Sequence, residues 1–125
     1  MSRTELSKQQ QAFFDALMSG EWDLPPGLRN LGIDPQSWLK SVSYGQVHYE
    51  WPNDGDRDIN SGRVFGGWVA ALSDHIVSMT MASALEDGEW LTTMELTTRM
   101  FRPMQKGLIT VHGRLIHRGR TTGYV

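Results

Sequence analysis

Residues 67–85 are nineteen consecutive positions that carry one formal charge, Asp74. On a helical wheel apolar residues fall on every side, and a helix that is apolar all round has to be buried. The rest of the chain must therefore wrap around this segment. A membrane span is the competing reading at this length. A central Asp costs roughly 2.5–3.5 kcal/mol on insertion scales, however, and Ser73, His75, Ser78, Thr80 and Ser83 add polarity. The buried helix wins.

The flanking sequence says what does the wrapping. Residues 46–51 alternate, with Val47, Tyr49 and Trp51 on one face and Gln46, His48 and Glu50 on the other, which reads as a strand with one side buried. Gly45 breaks the parity of Val42 and Tyr44 and predicts a bulge or turn. After the central helix, which Glu86-Asp87-Gly88 closes, two more strand-like runs are expected at residues 91–102 and 108–117. In the second, Ile109, Val111 and Leu115 share a face, and residues 103–107 should join the two runs as a hairpin. Upstream, Phe13, Phe14, Leu17 and Met18 share one helical face that Gly20 ends. A break follows at Leu24-Pro25-Pro26-Gly27, then a short irregular or helical piece around Pro35 to Leu39. The order predicts an α+β domain, an antiparallel sheet wrapped on one helix. Residues 1–40 are expected as a helical extension and residues 41–125 as the main domain. The final stretch, Thr121 to Val125, reads as the start of a strand, so the sheet is expected to lack its last strand and to leave an edge uncovered.

A length of 125 residues fits one domain with a modest core. The chain has no cysteine, which removes disulfides, zinc-thiolate sites and cysteine nucleophiles together. Its polar start is not followed by the apolar core of a signal peptide, which favours a cytoplasmic location. The net charge of −2 gives no reason to expect nucleic acid, but its distribution is uneven. Residues 1–89 hold six Lys/Arg against thirteen Asp/Glu, a balance of −7; residues 90–125 hold six against one, a balance of +5. The basic third could attract a polyanionic small molecule, or could be plain surface.

Asp74 is the residue that needs an explanation. A carboxylate in a buried helix must be paired, hydrogen-bonded or placed at a cavity. Gly67, Ala70, Ala71, Asp74, Ser78 and Met81 form one stripe, in which small residues leave room for a ligand and Ser78 can hydrogen-bond it. A structural Asp tied to loop amides or to Arg99 satisfies the same physics. Gly66-Gly67 opens the helix, where free amides form a site for negative charge and could stabilise an oxyanion. A glycine pair is equally able to serve as a hinge. Asp54, Asp56 and Asp58 imitate a calcium loop, but Ile59 and Phe65 stand where glycine and the bidentate acid are needed. The four histidines show no metal-ligand spacing, so no metal is expected. No phosphate loop, dinucleotide fingerprint or nucleophile elbow is present.

The run Gly62-Arg63-Val64-Phe65-Gly66-Gly67-Trp68-Val69-Ala70-Ala71-Leu72-Ser73-Asp74 resembles the signature of hotdog-fold thioesterases of the phenylacetate-degradation (PaaI-like) type. There a His-Gly-Gly turn starts the central helix and an Asp or Glu follows about two turns later. Thr92 to Pro103 resembles the family's next strand with its Arg-Pro end, and Gly107-Leu108-Ile109 and Arg118-Gly119-Arg120 match two later landmarks. The likeness covers about residues 42–125.

The resemblance implies a hotdog fold that dimerises, often as tetramers, with active sites at the dimer interface. It implies hydrolysis of an acyl-CoA, with no cofactor beyond the coenzyme A of the substrate. The Gly66 amide would polarise the thioester carbonyl, with Gly67 beside it, and Asp74 of the facing subunit would be nucleophile or general base. Thr92 would position water, Asn60 lies near the family's loop amide, and Ser78 matches a substrate-contacting position. Arg102, Arg118, Gly119 and Arg120 become candidates for the phosphates of coenzyme A. Phe65 departs from the pattern by replacing the histidine. A hotdog hydratase would need a His paired with an acid, and only Gly55-Asp56 resembles that pattern, with no histidine following. A non-catalytic hotdog module that binds acyl-CoA or only oligomerises is the alternative.

Overall fold

The computed structural model describes residues 5–125. Three helices open the chain: α1 (Lys8–Ser19), α2 (Pro26–Leu31) and α3 (Pro35–Trp38). Ser7 caps α1 by accepting from the Gln10 amide, and Gly20 ends it in the left-handed region at φ 84°. The Pro-Pro-Gly break does not stay irregular. Pro26 sits at the first position of α2, where a missing N–H costs nothing, and Gly32 closes that helix.

Strands β1 (Leu39–Ser43) and β2 (Gln46–Asn53) follow as a hairpin. Ser43 pairs with Gln46, so Tyr44 and Gly45 form a two-residue turn, with Gly45 at φ 75°. The parity break read at Gly45 is this turn. Val47, Tyr49, Trp51 and Asn53 of β2 are buried while His48 and Glu50 face outward. The central helix α4 (Gly66–Ala82) lies across the inner face. β3 (Gly107–Arg114) pairs antiparallel with β2 from Gln46↔Arg114 to Asn53↔Gly107. The sheet order is β1-β2-β3, and β4 (His117–Arg118) with β5 (Gly123–Tyr124) makes a separate small ladder.

One hydrophobic cluster joins all layers. Phe14 and Leu17 of α1, Ile33 and Trp38 pack together with Val47, Tyr49 and Trp51 of β2 and Trp68, Val69, Leu72 and Ile76 of α4. Trp38, Trp51 and Trp68 form its aromatic centre, with the Trp51 and Trp68 rings 4.4 Å apart. At Gly113 the helix meets the sheet so closely that a Cβ would overlap Thr80 Oγ1 and lie 2.9 Å from Val47 Cγ2.

Two sequence expectations need correction. Residues 91–100 are not a strand. They run without a ladder partner among the described residues, and residues 103–107 do not close a hairpin because β3 pairs with β2 instead. Alternation marks a segment that suits a strand, but a strand exists only when another backbone satisfies its N–H and C=O groups. α4, moreover, is not buried on all sides. Trp68, Val69, Leu72, His75 and Ile76 are buried, whereas Ala70, Ala71, Asp74, Ser78 and Met81 are only half-buried. Those five lie on the stripe the sequence pattern picked out.

Candidate functional site

α4 presents Asp74 on that half-buried flank, beside the unpaired segment of residues 91–100. The Thr93 hydroxyl donates to Asp74 Oδ1 at 2.7 Å, and Ser78 Oγ lies 3.4 Å from the same hydroxyl. Asp74, Ser78 and Thr93 thus form a small polar group between the helix and the extended segment. Among the described residues the partner of Asp74 is Thr93 and not Arg99. The sequence reading named Thr92; both threonines are exposed, and it is Thr93 that bonds to Asp74. Neighbouring side chains along this segment diverge, and the one that reaches α4 is Thr93.

At the start of α4 the Trp68 and Val69 amides already bond back to the Phe65 carbonyl, at 3.0 and 3.2 Å. The Gly66 and Gly67 amides precede them, in the first turn, which has no intrahelical acceptors. Side chains close in around these glycines. A Cβ on Gly66 would stand 3.2 Å from Met100 Sδ, and one on Gly67 would stand 2.7 Å from the Phe65 ring. The residue in the histidine position therefore lays an apolar ring over the second glycine. Phe65 is itself 55% exposed.

The remaining candidates are spread out. Asn60 begins a 3₁₀ turn (Asn60–Gly62) and is exposed. Arg102 and Arg120 are exposed, and Gly119 donates its amide to the Thr122 carbonyl at 2.7 Å. Arg118 is already engaged. Its guanidinium holds both oxygens of Glu89, at 2.7 and 2.6 Å, and also donates to the Ala84 carbonyl beyond the end of α4. That pairing ties β4 to the end of the central helix, so Arg118 is a structural clamp here and not a free anion-binding group.

Directly behind Asp74, His75 is buried and its Nε2 lies 2.8 Å from the Tyr49 hydroxyl. Burial pushes the His75 pKa down to about 4, against the smaller upward pull of the Asp74 charge. The imidazole is therefore neutral near pH 7. Burial likewise pushes the Tyr49 pKa upward. Sequence reasoning passed over this pair because its members are 26 residues apart, on different elements.

A family model described as the Thioesterase superfamily matches residues 61–125, which is 65 of the 125 residues. The chain belongs to the Thioesterase superfamily. The match spans α4, the segment of residues 91–100 and β3 to β5, which includes Asp74, Ser78 and Thr93. Among solved structures this superfamily member is similar to a phenylacetic acid degradation-related protein from Ralstonia eutropha JMP134. The TM-score is 0.73 and the identity 28%, over 88% of this chain and 82% of the other. A thioesterase from Haemophilus influenzae shares the fold at a TM-score of 0.62 and 24% identity, over 74% and 62% of the two chains. AziG of S. sahachiroi shares it at 0.69 and 21%, over 81% and 79%. No match is found among curated proteins. The hotdog architecture stands on this agreement, and thioester hydrolysis is the general chemistry that the membership supports. Among the described residues no helix is long and apolar enough to cross a membrane.

Proposed function

We propose that this chain hydrolyses an acyl-CoA thioester to the free acid and coenzyme A, with Asp74 as the catalytic carboxylate. The observation that carries the reading is the Asp74–Thr93 hydrogen bond beside Ser78, on the one flank of α4 that the fold leaves half-open. Thr93 fixes one carboxylate oxygen. The other is left to attack the thioester carbon or to take a proton from a water that attacks it. The Gly66 amide supplies the oxyanion donor.

Both groups cannot come from one chain. Gly66 and Asp74 are eight residues apart on a helix that rises 1.5 Å per residue, a separation of about 12 Å. A reacting carbonyl needs the donor and the carboxylate each within roughly 3 Å. The site is completed by a second copy, its Gly66 facing Asp74 across a dimer. The unpaired residues 91–100, with Trp90, Met94 and Phe101 each at least 80% exposed, offer the edge and the apolar surface for that pairing. Arg102 and Arg120 remain for the phosphates of coenzyme A.

One observation favours a second reading, a hotdog module that binds acyl-CoA without turning it over. Phe65 stands in the histidine position with its ring over Gly67. Thiol release from a panel of acyl-CoA substrates, followed with a thiol reagent, separates the two. Hydrolysis of any member supports the thioesterase, whereas binding with no thiol release supports the module.

A further inference from the structure

Two large apolar side chains stay exposed beside the start of α4. Phe65 is 55% and Met100 54% exposed, and each lies against one of the two glycines that open the helix. A Cβ on Gly66 would stand 3.2 Å from Met100 Sδ and 3.3 Å from its Cε. One on Gly67 would stand 2.7 and 2.8 Å from Phe65 Cε2 and Cζ. Successive residues of a helix project about 100° apart around its axis, so the thioether and the ring flank the helix start from two sides. The peptide dipoles run along the axis instead. The Gly66 amide thus faces out of the helix end, with the two side chains at its border.

The backbone holds this arrangement in place. The Phe65 amide donates to the Arg57 carbonyl at 2.7 Å, and the Val64 amide donates to the Met104 carbonyl at 3.1 Å. The second bond ties the loop before α4 to the chain just beyond Met100.

Taking Gly66 as the oxyanion donor of a thioesterase, on which this inference rests, we propose that Phe65 and Met100 set acyl selectivity. They favour acyl groups that are plain hydrocarbon at the first carbons beyond the carbonyl and disfavour those with a hydroxyl there. Covalent geometry keeps the α carbon about 2.4 Å from a carbonyl oxygen seated on the Gly66 amide. The first acyl carbons therefore stay at the helix start. Whichever way round the thioester lies, the acyl chain meets the ring or the thioether, and the coenzyme A sulfur meets the other. A hydrocarbon chain gains dispersion contact with either. A hydroxyl loses hydrogen bonds to water that a phenyl ring cannot replace and a thioether sulfur replaces only weakly.

The test compares butanoyl-CoA with 3-hydroxybutanoyl-CoA, which differ by one hydroxyl on the β carbon, by thiol release from the full chain. Wild type should favour butanoyl-CoA in kcat/KM by roughly 10–100-fold, the range in which an apolar pocket rejects an added hydroxyl. The double variant Phe65→His with Met100→Gln should bring the ratio within about threefold. Both positions are exposed, and a loss of fold or of pairing would lower the two rates together without moving their ratio. If neither thioester is cleaved, the thioesterase reading fails, and the selectivity is read from calorimetric Kd values, where butanoyl-CoA should still bind roughly tenfold tighter. A wild-type ratio within about threefold, in rate or, without turnover, in Kd, would overturn the proposal, as would a ratio that the double variant leaves unchanged.

Discussion

The Thr93 hydroxyl donates a 2.7 Å hydrogen bond to Oδ1 of Asp74, joining the central helix to a segment that has no strand partner among the described residues. A hydrogen bond to a charged group contributes about 1.5–3 kcal/mol. If the bond holds Asp74 in its working position, Thr93→Val should lower kcat by roughly tenfold or more. Thr92→Val should stay within about threefold of wild type, because the bond to Asp74 comes from Thr93. Steady-state kinetics on the two variants checks the assignment, and the reverse order of effects would return the role to Thr92.

His75 makes stability pH-dependent. Burial lowers its pKa to about 4 from the ordinary 6.5, so between those values the unfolded chain binds a proton that the folded chain refuses. The unfolded state then holds more protons, and stability rises with pH across that window. The full effect is on the order of 3 kcal/mol, present above pH 6.5 and lost as the pH falls to 4. His75→Gln keeps a polar group opposite Tyr49 but does not titrate. Its Tm should depend less on pH between 4 and 6.5 than that of wild type.

Gly113 is where α4 meets the sheet. A Cβ there would run into Thr80 Oγ1, Val47 and Ile76, all packed in the core, so nothing can swing aside cheaply. Gly113→Ala should destabilise the fold by about 1–3 kcal/mol, the usual cost of overpacking. A denaturant melt checks this, and an unchanged midpoint would mean that the helix sits farther from the sheet.

The arginines of the basic third should separate into two kinds. Arg118→Gln breaks the clamp on Glu89 and the Ala84 carbonyl, so its main effect should be a lower Tm, by about 1 kcal/mol of stability or more. Arg120→Gln should leave Tm unchanged and raise KM for acyl-CoA a few-fold, with no effect on the same acyl group carried by a thiol lacking the nucleotide. A matching KM rise with both carriers would remove Arg120 from coenzyme A recognition.

What the sequence made legible follows from where the information lies. The single charge over residues 67–85 and the alternation around Tyr49 are local patterns, and α4 and β2 follow from them directly. The parity break at Gly45 is likewise local and becomes a turn. The strand expected at residues 91–102 failed because pairing is a property of two segments, and alternation in one cannot say whether the other is present. The choice between Thr92 and Thr93 turned on a one-residue register, which flips every side chain to the other face. Arg118 looked like a free cation because no local rule links it to Glu89, 29 residues earlier. The Tyr49–His75 pair was hidden for the same reason. Asp74 stood out early because a lone charge in an apolar helix is a local anomaly, although its threonine partner was not.

The central claim is that the Asp74 charge drives thioester hydrolysis, and the most direct measurement is turnover by Asp74→Asn. Asparagine keeps the size of the side chain and can still accept from Thr93, so the variant should fold, with a Tm close to wild type. Its kcat for acyl-CoA should fall by roughly 10²–10⁴-fold, the usual consequence of removing a general base, while KM changes little. A folded Asp74→Asn protein that releases coenzyme A within a few-fold of the wild-type rate would show that Asp74 is a structural carboxylate and that the account is wrong.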